Sequence, residues 1–311
     1  MTAVEFCGLR LAHPIVNGSG TFDPIAARRA FGDALLEAFP FSAFVSKTIT
    51  LRPRAGNPPP RLWEAQAGMI NSIGLPNRGL YGYLEHDLPE LAALPVALIT
   101  NVMGSTEAEV AQLVEAVGAR AEVAAIELNV SCPNVKTGLD IGADPCSLAA
   151  LVRAVRPLTR TPLIVKLTPN TADVAAVAVA AEREGADAVS LVNTLRATAL
   201  SPGTRDPWLG GGSGGLSGPA IRALALAQVA AVARRVSIPI VGMGGVARAE
   251  HARDLLAAGA TLVAVGTESF RDPAAASRIA SDLKALQIRE TPATGVNESE
   301  AQVEVDVNSS D

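Results

Sequence analysis

The residues most suited to chemistry lie between Glu127 and Gly138, in the stretch ELNVSCPNVKTG. An apolar run, Ala124-Ala125-Ile126, changes character here. Asn129, Ser131, Cys132, Asn134 and Lys136 follow within a few residues, and Pro133 forces the chain out of regular structure. A thiol acts as a base through its thiolate form, and amides both donate and accept hydrogen bonds. The stretch is therefore built to hold a reactive side chain over a ligand. A small buried cysteine at a turn has the same local pattern, so the rest of the chain has to decide between the two.

The elements that must position this stretch follow one repeated pattern. An apolar run of a few residues ends in polar or glycine residues, and an Ala/Leu-rich helical segment usually follows. The runs are Pro14–Asn17, Ala43–Lys47, Pro95–Asn101, Ala124–Asn129, Pro162–Lys166, Ala188–Asn193, Pro239–Gly242 and Leu262–Gly266. Continuous apolar character suits strands covered on both faces. Helices are expected over Glu107–Val117, Ser147–Val155, Thr171–Glu184, Pro219–Arg234 and Ala249–Ala258, with Thr106, Asp144 and Thr171 as caps or first-turn residues. Eight such alternations predict an α/β fold of the (β/α)8 TIM barrel type, with residues 4–12 as an N-terminal hairpin. A doubly wound sheet is the alternative, weakened by the lack of GxGxxG after an early strand.

The run ends present Asn17, Ser19, Lys47, Asn101, Asn129, Lys166, Asn193, Gly242–Gly245 and Gly266-Thr267. A barrel brings them to one mouth, where active sites form. The glycine turns after the last two strands precede helices, so their backbone amides suit an anion such as phosphate. Two long Pro/Gly-rich excursions, 48–94 and 195–218, read as insertions on the carboxyl face that wall the substrate. Trp63 and Trp208 pack them down, and Arg61 and Arg78 are read as solvent-exposed. A phosphate site with amides and two lysines fits flavin mononucleotide, whose reduced ring a lysine would stabilise. A barrel isomerase or Schiff-base aldolase would share the phosphate site and a lysine, with no evident need for Cys132.

Composition bounds the rest. A chain of 311 residues, 49 % hydrophobic, is large enough for one barrel. The net charge of -5, without a long basic run, argues against nucleic acid or an anionic membrane as partner. Three cysteines without CxxC spacing suggest neither disulfides nor a metal site. Cys7 and Cys146 are read as structural, and the scattered histidines lack ligand spacing. A cytoplasmic setting is expected. One domain over 1–286 and an acidic, disordered tail over 287–311 complete the expected organisation.

Taken together the motifs resemble those of class 1 dihydroorotate dehydrogenases, flavin enzymes of pyrimidine synthesis. They are Lys47-Thr48, GNPPPR at 56–61, NSIGLPN at 71–77, NVSCPNVK at 129–136, VKLTPN at 165–170, VNTL at 192–195, GGLSGPAI at 214–221, GMGG at 242–245 and VGT at 265–267. The resemblance spans Val4 to about Leu283 and is greatest to the 1B catalytic subunit. It implies FMN as cofactor and oxidation of dihydroorotate to orotate, with Cys132 as the general base. By the same resemblance, Lys47, Asn71, Ser72, Ile73, Gly74, Leu75, Asn129, Asn134, Asn193 and Thr194 would hold the substrate. Ser19, Lys47, Thr48, Asn101, Asn129, Lys166, Val192, Gly218, Gly244, Gly245, Gly266 and Thr267 would hold FMN.

It further implies a homodimer and an electron-transfer partner subunit with FAD and an iron–sulfur cluster, together a heterotetramer. The chain itself has no cysteine cluster for iron–sulfur ligation and no dinucleotide fingerprint. The acceptor stays open between NAD through that partner, fumarate as in class 1A, or another. A related dihydropyrimidine-type oxidoreductase and a non-catalytic flavin-binding barrel also stay open. One departure is local: after Asn193-Thr194-Leu195-Arg196 the 1B pattern continues Gly-Met, whereas this chain has Ala197-Thr198-Ala199-Leu200 and a glycine-rich 210–215.

Overall fold

The computed structural model describes residues 3–130 and 141–290 of the chain. Eight parallel strands, β1 to β8, match the eight apolar runs: Ile15–Asn17, Ala43–Val45, Ala97–Val102, Val123–Asn129, Leu163–Lys166, Ala188–Leu191, Ile240–Met243 and Leu262–Val265. Their ladder runs β1-β8-β7-β6-β5-β4-β3-β2. The remaining seam, between β1 and β2, is closed by other means. The Ser42 backbone N–H donates to Ile15 O at 3.0 Å. Asn17 Nδ2 donates to Val45 O at 2.8 Å, and its Oδ1 accepts from Val45 N at 2.7 Å. Asn17, expected at the mouth, is thus a clamp that completes the TIM barrel.

Strand periodicity sorts the side chains. Val16, Val45, Ile99, Ala125, Ile164, Ala188, Val241 and Ala264 belong to one buried cluster drawn from all eight strands, which places them inside the barrel. Alternate residues such as Phe44, Leu98, Ile126 and Val165 instead share a cluster with the helices. The expected hairpin pairs Val4–Phe6 with Leu9–Leu11. Its two-residue turn, Cys7-Gly8, has φ of 50° and 78°, the paired left-handed conformation of a tight hairpin. Phe6 and Leu11 join the interior cluster, and Cys7 Sγ reaches Asp187 O just before β6. The hairpin therefore plugs the amino-terminal end.

The helices follow their caps. Thr106 accepts from Glu109 N and starts Glu107–Gly118, and Asp144 accepts from Ser147 N at 2.7 Å and starts Pro145–Val155. Val110, Leu113, Val114 and Val117 form the buried stripe of the first helix. The next helix, Val174–Arg183, begins later than expected. Asp173, not Thr171, caps it by accepting from Ala176 N at 2.9 Å, whereas Thr171 donates its hydroxyl to Ala143 O. Segment 219–234 opens with a 3₁₀ turn, Pro219–Ile221, before the helix Arg222–Ala233. Ala249–Ala257 forms as expected. The final helix, Ala275–Glu290, continues beyond Leu286, where the sequence placed the start of the tail. The acidic segment VEVDV lies outside the described residues. Among the described residues no helix is long and apolar enough to cross a membrane.

The two excursions share one four-stranded antiparallel sheet, in the order Leu195–Ala197, Gly214–Ser217, Gly68–Asn71 and Leu62–Ala65. They leave the barrel after β2 and β6, so the sheet belongs to the carboxyl side. Trp63 and Trp208 meet edge to face at 5.4 Å between ring centroids, packing one excursion on the other. A Cβ on Gly214 would lie 2.3 Å from Asn71 O, and one on Gly215 only 1.9 Å from Thr194 Oγ1. The glycine-rich departure at 210–215 is thus what lets the sheet close over the strand ends.

Candidate active site

Counting onward by two from the inward apolar residues leads directly to the polar groups. Ile99 is followed by Asn101, Ala125 by Glu127 and Asn129, Ile164 by Lys166, and Ala188 by Ser190. The register sets Asn101 level with Glu127, and Lys166 level with both Asn129 and Ser190. These side chains form a polar layer above the apolar filling. Asn101, Glu127, Lys166 and Ser190 are all at most 5 % exposed. Ser190 Oγ donates to Glu127 Oε1 at 2.7 Å, and Asn101 Nδ2 donates to Glu127 Oε2. Lys166 Nζ stands 3.9 Å from the same Oε2. Asn101 Oδ1 is buried and makes no hydrogen bond among the described residues. A stranded buried acceptor costs about 1–3 kcal/mol, a cost that a ligand donor would remove.

The end of β2 adds a second group. Ser19 Oγ donates to Ser46 O at 2.8 Å and lies 3.4 Å from the Thr48 hydroxyl, which is buried. Between them Lys47 is exposed. A cavity of about 1030 Å³ is lined in part by Gly20, Phe22, Ser46, Lys47, Tyr83 and Phe270. Its lining omits Asn101, Asn129 and Lys166, so it lies beside the polar layer rather than over it.

The glycine turns form a third group. Gly244 and Gly245 have φ of 132° and 70°, and a Cβ on either would collide with Ala225 or Arg222. The turn after β7 is thereby pressed onto the helix Arg222–Ala233. Gly218, at φ 88°, places its carbonyl 3.0 Å from where a Cβ on Gly245 would sit. Thr267 Oγ1 donates to Ser217 Oγ at 2.9 Å, bringing the Gly266-Thr267 turn after β8 alongside. Val192 N donates to Met243 O at 3.0 Å, fixing the end of β6 against β7. His251 Nδ1 lies 3.1 Å from Gly245 O. Burial first, then the Arg222 and Arg248 charges, hold its imidazole pKa below the ordinary range.

The cover sheet supplies the fourth group. Asn71 Nδ2 donates to Gly215 O, and Asn57 Nδ2 donates to Ser72 Oγ at 2.9 Å. Asn57 N donates to Ile73 O at 3.0 Å, and a Cβ on Gly74 would lie 2.5 Å from that same Asn57 N. Leu75, at φ 54°, occupies left-handed space that non-glycine residues rarely take. Asn77 Nδ2 holds its carbonyl at 2.9 Å. Ser72 to Gly74 are thus held against the GNPPPR loop, while Asn71 is tied to Gly215 and Leu75 to Asn77. Arg61 is half-buried rather than fully exposed as expected, and donates to Asn57 O in that loop and to Ala55 O just before it. Arg78 is exposed as expected, 3.8 Å from Asp87. Asn193 Oδ1 accepts from Thr194 N at 2.8 Å, and Thr194 O accepts from Asn170 Nδ2.

Cys132 and Asn134 lie outside the described residues. β4, which leads towards them, ends at Asn129 on the mouth. Cys7 is half-buried, with its thiol pKa pushed up to about 12 by burial and then by Asp187, while Cys146 is exposed. Among the described residues no three potential ligand side chains cluster to hold a metal. Sequence reasoning placed Asn101, Asn129 and Lys166 at the mouth but overlooked Glu127 and Ser190. The period-two count from Asn129 and from Ala188 was the signal that identifies them.

Comparison with known proteins matches this architecture. The family model described as dihydroorotate dehydrogenase matches residues 1–286. A Desulforudis audaxviator protein named dihydroorotate dehydrogenase B (NAD(+)), catalytic subunit, is 44 % identical over 91 % of this chain and 91 % of its own. The Geobacter sulfurreducens protein of the same name is 43 % identical over 91 % of this chain and 92 % of its own. A Solibacter usitatus protein provisionally named dihydroorotate dehydrogenase A (fumarate) is 43 % identical, over 93 % and 94 % respectively. The crystal structure of an Eimeria tenella DHODH in complex with ferulenol shares the fold at a TM-score of 0.75, with 22 % identity over 92 % of this chain and 84 % of that one. On the strength of the family match and of these relatives, the chain belongs to the dihydroorotate dehydrogenase family.

Proposed function

We propose that the chain oxidises dihydroorotate to orotate for UMP synthesis, with FMN as its cofactor. The observation that carries this reading is the unpartnered, buried Asn101 Oδ1 beside Lys166, on the same barrel mouth as the glycine turns. That acceptor calls for a ligand N–H, the lysine for a site of negative charge, and the turns for a phosphate. A single flavin mononucleotide meets all three. The backbone of Gly218, Gly244, Gly245, Gly266 and Thr267 would hold the phosphate end. Ser19, Lys47, Thr48, Asn101, Asn129, Lys166 and Val192 would surround the ring. When bound, FMN supplies the hydride acceptor.

The chain's own part is to bind and orient dihydroorotate and to take a proton. Lys47, Asn71 to Leu75, Asn129, Asn134, Asn193 and Thr194 would hold the substrate ring and its carboxylate. Cys132, as thiolate, would remove the proton from carbon 5 while hydride leaves carbon 6. The names of the 1B relatives, catalytic subunits of NAD(+) enzymes, support electron export to NAD through a partner subunit. In this reading that partner carries FAD and an iron–sulfur cluster, and this chain forms a homodimer. Cytoplasmic placement accords with that assembly. Fumarate is the competing acceptor, favoured by the Solibacter relative's name.

The test is direct. Purified chain should be yellow, release FMN on denaturation and bleach under anaerobic dihydroorotate. Reoxidation is then followed with NAD and fumarate, with and without a co-purified partner. A chain that cannot be loaded with FMN, or whose flavin dihydroorotate leaves oxidised, would overturn the reading.

A further inference from the structure

We propose that Glu127 is a positioning residue that presets Asn101 and Lys166 for the flavin, and that its buried charge holds down the flavin's reduction potential. The inference rests on the FMN reading above. A carboxylate inside a barrel is expensive unless it is paired and hydrogen-bonded. The layer directly beneath is filled by Ile99, Ala125, Ile164 and Ala188, so packing alone does not call for an acid here. Two donors and a cation surround the Glu127 carboxylate. Ser190 Oγ donates to Oε1, Asn101 Nδ2 donates to Oε2, and Lys166 Nζ approaches Oε2.

Two consequences follow for the mouth. An ionised carboxylate only accepts hydrogen bonds, so Asn101 must turn its NH₂ towards Glu127. Its Oδ1 is then left as the unpartnered acceptor. Lys166 Nζ, at 3.9 Å, is beyond direct hydrogen-bond length from Glu127. The ammonium is therefore steered by the carboxylate while its protons stay available to a ligand. A cation at this place stabilises negative charge on a reduced ring, and the anion behind it offsets part of that effect. A flavin so balanced gives up its electrons more readily than one facing an uncompensated lysine.

The test is E127Q in the FMN-loaded protein. Glutamine keeps the shape, an acceptor for Asn101 and a hydrogen bond to Ser190, but removes the charge. Spectroelectrochemical titration should show the reduced flavin bound at least tenfold more tightly relative to the oxidised form, a rise of about 30 mV for a two-electron couple. E127D retains the charge but withdraws it by one methylene. It should weaken FMN binding several-fold while leaving the reduced-to-oxidised ratio within twofold, and it carries the test if E127Q does not fold. A parent that takes up no FMN would overturn the cofactor reading and this inference with it. A parent that binds FMN, with the E127Q ratio within twofold of its own or E127D binding FMN as tightly as the parent, would overturn this inference alone.

Discussion

Replacing Asn17 with Ala should open the one seam of the barrel that strand pairing leaves unclosed. The Asn17 side chain is buried and satisfies both backbone groups of Val45, at 2.7 and 2.8 Å. Alanine would strand that N–H and that carbonyl at the end of β2. Each stranded group costs about 1–3 kcal/mol, giving about 2–6 kcal/mol for the pair. Midpoint temperature should then fall by ~4–24 °C, at the roughly 2–4 °C per kcal/mol of larger single domains. Ser42 provides the internal comparison. Its hydroxyl donates to Ile15 O at 3.0 Å, but the Ser42 backbone N–H already serves that carbonyl. S42A should therefore cost only about 0.5–1.5 kcal/mol. Urea unfolding followed by far-UV circular dichroism measures both. An N17A loss no greater than that of S42A would show that the side-chain clamp does not hold the seam.

Other perturbations address the site. C132A should retain FMN yet show almost no flavin reduction by dihydroorotate in stopped-flow, and reduction at the parental rate would refute the assignment of the base. Because only the thiolate is basic, the parent's reductive half-reaction should quicken as pH rises towards about 8.5, the free-thiol value; a rate flat from pH 6 to 9 would count against a thiol base. G215A would drive a Cβ to within 1.9 Å of Thr194 Oγ1, so KM for dihydroorotate should rise at least about tenfold, equivalent to about 1.4 kcal/mol, with FMN content unchanged. In the C132A background at pH 8, a thiol reagent should label Cys146 at once and Cys7 slowly. Burial keeps Cys7 protonated until far higher pH, with its pKa pushed up to about 12. Equal labelling rates would contradict that burial.

The barrel was legible because each strand is covered on both faces and so declares itself as an apolar run. What those runs did not disclose was which way each polar end group faces. Asn17 and Asn101 look alike as strand-end amides, yet one bonds a neighbouring strand's backbone and the other keeps a bare acceptor. The difference lies in barrel closure, a contact between β1 and β2 that no local spacing encodes. The cover sheet was hidden for a related reason. Gly214–Ser217 pairs with Gly68–Asn71 across more than a hundred residues, so the glycines read as loop until their partner is known. Thr171 and Asp173 were separated only by which side chain reaches the first free N–H, a matter of one or two residues.

Glu127 is the sharper case. It sits inside an apolar strand two residues before Asn129, and a charged residue there contradicts the rule that built the strand assignment. Such contradictions are where function tends to lie, because a buried charge persists only when something nearby rewards it. Parity resolves the contradiction: if Asn129 faces the mouth, so must Glu127, and Lys166 and Asn101 on the flanking strands face it in turn. Ser190 follows from Ala188 by the same step. The polar layer is therefore a continuation of the core's alternation, in which apolar side chains give way to donors and acceptors over one further strand period. That continuity explains why the site needs no loop to define its floor. The glycine turns and the cover sheet then have only to supply one end and a wall for whatever rests on it.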